Sequence, residues 1–198
     1  METKRMFSEN EARGILTPYH RVFERIVRVA WRRWRDISNR FDDPYKRTRA
    51  TIVYQFMAEE AKREFENHFD VHVIEENESI LISLHNKLAV RLKKLNDGLR
   101  SSNYPTPRQL EFAAQLPLPG IPDCERVVVG YVPDSLGMDI DIHVVYGQGD
   151  EKIWSYELDK SFVPELSVIE NPATQEEVSV WTFARKSGED VTSNHFKS

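Results

Sequence analysis

Five arginines, Arg21, Arg25, Arg28, Arg32 and Arg35, recur at intervals of 4, 3, 4 and 3 residues. Steps of three and four place side chains on one stripe of a helix. A guanidinium is planar and donates in pairs, which suits phosphate and carboxylate oxygens. Trp31 and Trp34 lie beside the stripe, where indole rings could stack on bases or anchor a protein interface. From Thr17 to Ala50 there are ten basic residues against only Glu24, Asp36, Asp42 and Asp43. Like charges at these spacings repel by a few tenths of a kcal/mol per pair, so the row carries a small stability cost unless an anion lies against it. Three sources of that anion are open: the chain's own carboxylates, an acidic partner protein, or nucleic-acid phosphate.

A second group with chemical potential is Asp139-Ile140-Asp141-Ile142-His143. On a strand, alternation puts Asp139, Asp141 and His143 on one side. Two carboxylates and an imidazole can bind a divalent metal or move protons. Same-face neighbours on a strand are about 7 Å apart, so one ion would need ligands from elsewhere. The plainer reading is the wet side of a half-exposed sheet, and no metal is assigned. His72 and His85 read as surface histidines, and Cys124, with no base identifiable near it, as an inert thiol. The chain contains no G-x-S-x-G, H-E-x-x-H, Walker loop or G-x-G-x-x-G. No cofactor is called for, and no residue set commits to a catalytic step.

The elements that must position these residues are legible from periodicity. Apolar side chains at Tyr19, Phe23, Ile26, Ala30, Trp34, Ile37 and Phe41 predict a helix over 17–41, opened by Thr17-Pro18 and stopped before Pro44. Ile52, Phe56, Ala58, Phe65 and Phe69 predict a second over 47–69, and the two read as an antiparallel hairpin. Period-2 patterns then mark strands at 71–74, 79–84 and 88–93, the last with Leu88, Val90 and Leu92 facing one way and Arg91 and Lys93 the other. A short helix is expected over 108–116 and three more strands over 126–132, 138–146 and 152–158.

The fold class is therefore α+β: a helical hairpin, then three strands, a short helix and three strands. Without a helix between successive strands, the sheet should be mainly antiparallel. The expected organisation is a flexible segment over 1–16, the hairpin over 17–69, the α+β body over 70–183 with a last strand over 178–183, and a frayed tail over 184–198.

Composition sets the outer limits. Of 198 residues 40% are hydrophobic, which supports a core and one domain. The net charge of -5 conceals an asymmetry: 20 Lys/Arg against 16 Asp/Glu in residues 1–100, and 7 against 16 afterwards. A sequence pI near 5.7 argues against a dedicated DNA binder. No apolar run is long enough for a membrane helix, the polar start lacks a secretory signal, and the single cysteine excludes an internal disulfide. The cytoplasm is the expected compartment, and insertion into a membrane is not expected.

The segments Leu88-Ala89-Val90-Arg91-Leu92-Lys93-Lys94-Leu95, Asn103-Tyr104-Pro105-Thr106-Pro107 with Gln115, and Val129-Gly130-Tyr131 resemble a group of bacterial and prophage proteins. These are encoded beside small helix-turn-helix regulators. The resemblance spans roughly residues 48–158 and carries no catalytic motif. It implies a toxin-like effector of a toxin–antitoxin or phage-defence pair, silenced by a partner protein. The expectation is then that an acidic partner covers Arg21, Arg25, Arg28, Arg32, Arg35, Trp31 and Trp34. Two alternatives stay open: a nucleic-acid-binding accessory protein using the same arginines, and a metal-dependent hydrolase centred on Asp139, Asp141 and His143. The hairpin could also form a homodimer seam.

Overall fold

The computed structural model describes residues 6–42, 45–76, 79–101, 107–116, 123–149 and 151–158. All lie in the first of two units, Met1–Pro164 and Glu165–Ser198, into which the chain divides. The expected strand at 178–183 and tail at 184–198 fall outside the described residues.

The amino-terminal segment corrects an expectation. Residues Glu9–Leu16, read as flexible, form helix α1. Ser8 and Glu11 form a reciprocal capping box: the Ser8 Oγ accepts from the Glu11 amide at 3.3 Å, and the Glu11 Oε2 accepts from the Ser8 amide at 2.9 Å. Ala12 and Leu16, one turn apart, are fully buried and anchor α1 to the core. The Ser-x-x-Glu signal was present in the sequence, but the helix is short.

A 3₁₀ turn over Thr17–Tyr19 leads into α2, His20–Ser38, and α3 follows over Lys46–Phe65. The two long helices pack side by side. Arg25 pairs with Glu64 and Arg33 with Glu60, numbers rising on one helix as they fall on the other. Phe23, Ile26, Val27, Ala30, Trp31 and Trp34 form the buried stripe of α2. Each large apolar side chain withdrawn from water contributes roughly 1.5–3 kcal/mol.

The six strands are β1 Val71–Glu76, β2 Ser79–Leu84, β3 Leu88–Lys94, β4 Glu125–Pro133, β5 Ile140–Gln148 and β6 Glu151–Glu157, in sequential order across one sheet. The β2–β3 hairpin turns through His85, Asn86 and Lys87, with His85 and Asn86 at positive φ and the Lys87 amide donating to the Leu84 carbonyl at 2.9 Å. Four neighbouring pairs are antiparallel, but β3 and β4 are parallel, with Val90 opposite Val127 and Leu92 opposite Val129. The sheet is thus mixed: four of its five pairings are antiparallel, as the expectation had it, and the central β3–β4 pairing departs from it. A parallel pair needs a connection of a dozen residues or more. The chain from Leu95 to Cys124 supplies one, and it contains α4, Pro107–Ala113.

This crossover decides which faces are covered. Ile82, Leu84, Val90, Leu92, Val127, Val129, Ile142 and Val144 point toward α1–α3 and form the main core. On the opposite face Phe112 of α4 packs on Leu81 and Ala89.

Candidate functional site

The arginine row is largely bound within the chain. Arg25 is ion-paired with Glu64 of α3. Arg28, mostly buried, donates to Glu24 at 2.9 Å and reaches Asp139 at 3.4 Å. Arg35 donates to the main-chain oxygen of Met138 at 3.1 Å. The neighbouring Arg33 bridges Glu59 at 2.8 Å and Glu60 at 3.2 Å. Glu24 and Glu60 are nearly as buried as the core, and the arginines supply their counter-charges. Of the five, only Arg21 and Arg32 are exposed without a hydrogen bond or ion pair among the described residues.

Trp31 and Trp34 are each 4% exposed. Trp31 packs on Tyr131 and Trp34 on Phe41, ring centroids 5.6 and 5.5 Å apart. Offering these rings to a partner is therefore corrected. The steps from Phe23 to Val27, Trp31 and Trp34 keep both indoles on the core stripe, beside the arginine row but turned inward.

The acidic strand does not assemble a site either. Asp139 precedes β5 and faces Arg28, while Asp141 and His143 stand opposite Val132 and Gly130 of β4. Among the described residues no three His, Cys, Asp or Glu side chains are placed to hold a metal ion. His72 is exposed on β1. His85 meets the Tyr19 hydroxyl at 2.9 Å through Nε2 and has Asp70 3.8 Å from Nδ1, so its ring ties the β2–β3 turn to the start of the helical layer. Burial pushes the Cys124 thiol up, with Arg126 pulling the other way.

A different cluster contains an unmatched cation, Arg126. The sheet face away from α1–α3 carries Arg91 and Lys93 on β3 and Arg126 on β4. Strand alternation sends Arg91 and Lys93 to this face because Leu88, Val90 and Leu92 enter the main core. Parallel pairing sets Ala89 opposite Arg126 and Arg91 opposite Val128, so Arg126 lies diagonally beside Arg91.

Helix α4 roofs one side. The Arg91 guanidinium lies 4.1 Å from the centre of the Phe112 ring, and that of Arg126 lies 5.8 Å from it. Gln115, at positive φ, holds the roof in place. Its Oε1 accepts from the Arg126 amide at 3.0 Å, and its Nε2 donates to the carbonyls of Arg126 and Gly147 at 3.0 and 3.1 Å. Gly147 sits at the irregularity between β5 and β6, where a Cβ would come within 2.6 Å of the Glu151 carbonyl oxygen, so a larger residue would disturb the cleft wall.

Between roof and sheet lies a cleft of about 260 Å³. Among the described residues its lining carries five cationic side chains, with Arg100 and Lys152 joining the three on the sheet, against one carboxylate, Glu151; Lys93 also lies 5.9 Å from the centre of the Tyr54 ring. Arg126 is 1% exposed, yet its Nε and Nη2 find no acceptor. Its Nη1 reaches only the Glu111 carbonyl, at 3.5 Å. Burial draws the Arg126 guanidinium below its ordinary value, against the pull of Cys124, Asp123 and Glu125. Burial also lowers Arg91, with Tyr54 opposing and Arg126 reinforcing, and it lowers Lys93, with Arg91 reinforcing. A buried charge without a partner costs several kcal/mol, and a native structure that retains one calls for a functional explanation.

Sequence reasoning placed Arg91 and Lys93 on one strand face but did not connect them with Arg126. The available signal was that alternation, followed by an arginine at the start of the next apolar strand. No known family model matches the chain, and no curated protein or solved structure matches it either.

Proposed function

We propose that this protein is a binding module that holds a small anionic molecule in the cleft between α4 and the sheet. The observation that carries this reading is Arg126, a buried guanidinium with two unsatisfied donor nitrogens at a cleft whose described charged lining is mainly cationic. An oxyanion entering the cleft would supply the acceptors that the protein lacks. Catalysis is no part of the proposal.

The test is thermal stability in citrate, sulfate or pyrophosphate against chloride at matched ionic strength. A ligand that binds only the folded state raises its stability. Multivalent anions should therefore raise the melting temperature of the wild type more than that of Arg126→Met. The variant removes the general effect of excluded salts, which acts on both proteins alike. Equal shifts in the two proteins would end the proposal.

A second reading keeps the toxin-like effector of the resemblance, in the cytoplasm and bound by an acidic protein or by nucleic acid. Its support is the exposure of Arg21 and Arg32. Complex formation with the product of the adjacent gene, lost in an Arg21→Glu/Arg32→Glu variant, is its test. A complex indifferent to that double change would remove α2 as the docking face. The metal-dependent hydrolase centred on Asp139, Asp141 and His143 finds no support in the described geometry.

A further inference from the structure

The shape of the unmet donors narrows the ligand. Resting on the anion-binding reading above, we infer that the cleft takes a phosphomonoester of a small apolar or aromatic group. Nε and Nη2 form one edge of a guanidinium, the edge that donates two parallel hydrogen bonds to a single oxyanion. In Arg126 it is this edge that has no partner, while Nη1 is turned toward Glu111. A turn of the side chain into the cleft would break one hydrogen bond, that 3.5 Å contact, and shift the guanidinium against the Phe112 ring.

Charge separates phosphate from carboxylate. A monocarboxylate brings one charge and two oxygens, whereas a phosphomonoester brings close to two charges and three strong acceptor oxygens at neutral pH. Arg126 and Arg91 lie diagonally on one face of adjacent strands and, each donating along a guanidinium edge, can divide three oxygens between them. A phosphodiester within a nucleic-acid strand carries a single charge and only two unesterified oxygens, fewer acceptors than the two guanidinium edges can serve.

The remainder of the cleft is suited to the esterified group. Leu95, Leu99, Leu110 and Phe112 supply an apolar wall beside the cations. The volume lies just below the range of roughly 300–1,000 Å³ usual for sites of drug-sized ligands, which fits a small metabolite better than a polymer.

The experiment is calorimetric titration of the full chain with phenyl phosphate, benzoate, methyl phenyl phosphate, inorganic phosphate and an oligothymidylate lacking terminal phosphates, at fixed ionic strength. Phenyl phosphate is expected to bind at least about tenfold more tightly than the other four, and Arg126→Met to weaken it on the order of 100-fold. Arg91→Gln, at a more exposed position, should weaken it by about tenfold and serves as the second variant if Arg126→Met fails to fold. Benzoate binding as tightly as phenyl phosphate would remove the phosphate assignment while leaving an anion site. Preference for the oligothymidylate would make the cleft a nucleic-acid contact instead. Absence of binding by all five probes would overturn both this inference and the reading beneath it. Unchanged affinity in folded Arg126→Met would overturn the role given to that guanidinium.

Discussion

The two basic regions of this protein, the arginine face of α2 and the cleft on the far side of the sheet, have opposite electrostatic character. On α2, Arg25, Arg28 and Arg33 lie against Glu64, Glu24, Asp139, Glu59 and Glu60, so the row staples two helices and a strand end together. In the cleft, cations are drawn from distant parts of the chain, and Arg126 has no carboxylate within ion-pair distance among the described residues. A dense row of like charges in the sequence marked a self-contained structural seam. The unmet charge arose where no row was visible. What identifies a binding surface is the charge left over after the fold has paired what it can.

Breaking the satisfied region should give the largest effect. Glu24→Ala leaves the mostly buried Arg28 with only Asp139 at 3.4 Å, and should cost about 3 kcal/mol. At about 2–4 °C per kcal/mol, the melting temperature should fall by roughly 6–12 °C in calorimetry. A loss below about 1 kcal/mol would show that the seam is not held by its ion pairs.

The same operation in the cleft should have the opposite sign. Arg126→Met removes a buried, unpartnered charge while keeping much of the side-chain volume, and should stabilise the unliganded protein by about 1–2 kcal/mol in urea unfolding. Destabilisation of that size would mean that Arg126 is satisfied by the fold and that the contrast fails.

Protons probe the helical side at smaller amplitude. His20 meets the Tyr156 hydroxyl at 3.0 Å, and burial, then the Arg13 charge, hold its imidazole below the ordinary value. The unfolded chain takes up this proton first as pH falls. The contribution is therefore complete above the unfolded value near 6.5 and is lost as pH drops through the lower folded value. Unfolding curves between pH 7.5 and 5 should show this loss in the wild type, and His20→Gln should flatten it.

Smaller still is the effect of Tyr131→Phe. The Tyr131 hydroxyl is buried on the helical side without a partner, so its removal should change stability by less than about 1 kcal/mol, in either direction. A larger loss would reveal an acceptor for it. Last, Arg32→Gln should leave the melting temperature unchanged, because its side chain is exposed and unpaired among the described residues.

Much of the architecture was legible. The 3.6-residue stripe from Phe23 to Trp34 and the period-2 runs at Ile80–Leu84 and Leu88–Leu92 carry their own geometry, because burial selects apolar residues at the period of the backbone. The same periodicity named Trp34 as core, and Trp31 follows from it. Less of the site could be read. The direction of Arg91 and Lys93 followed from alternation, but their neighbour did not.

The sequence by itself determined where helices and strands lie and which side of each is apolar, since those are local consequences of chain geometry and hydration. Only the tertiary structure decided that β3 and β4 run parallel, that α4 roofs the far face, and that Arg126 comes to rest beside Arg91. It also decided which arginines found carboxylates. Charge pairing depends on separations of a few ångströms between residues up to 111 positions apart, as for Arg28 and Asp139. Local periodicity contains no information about such distances, because register between distant segments is fixed only when the whole core closes.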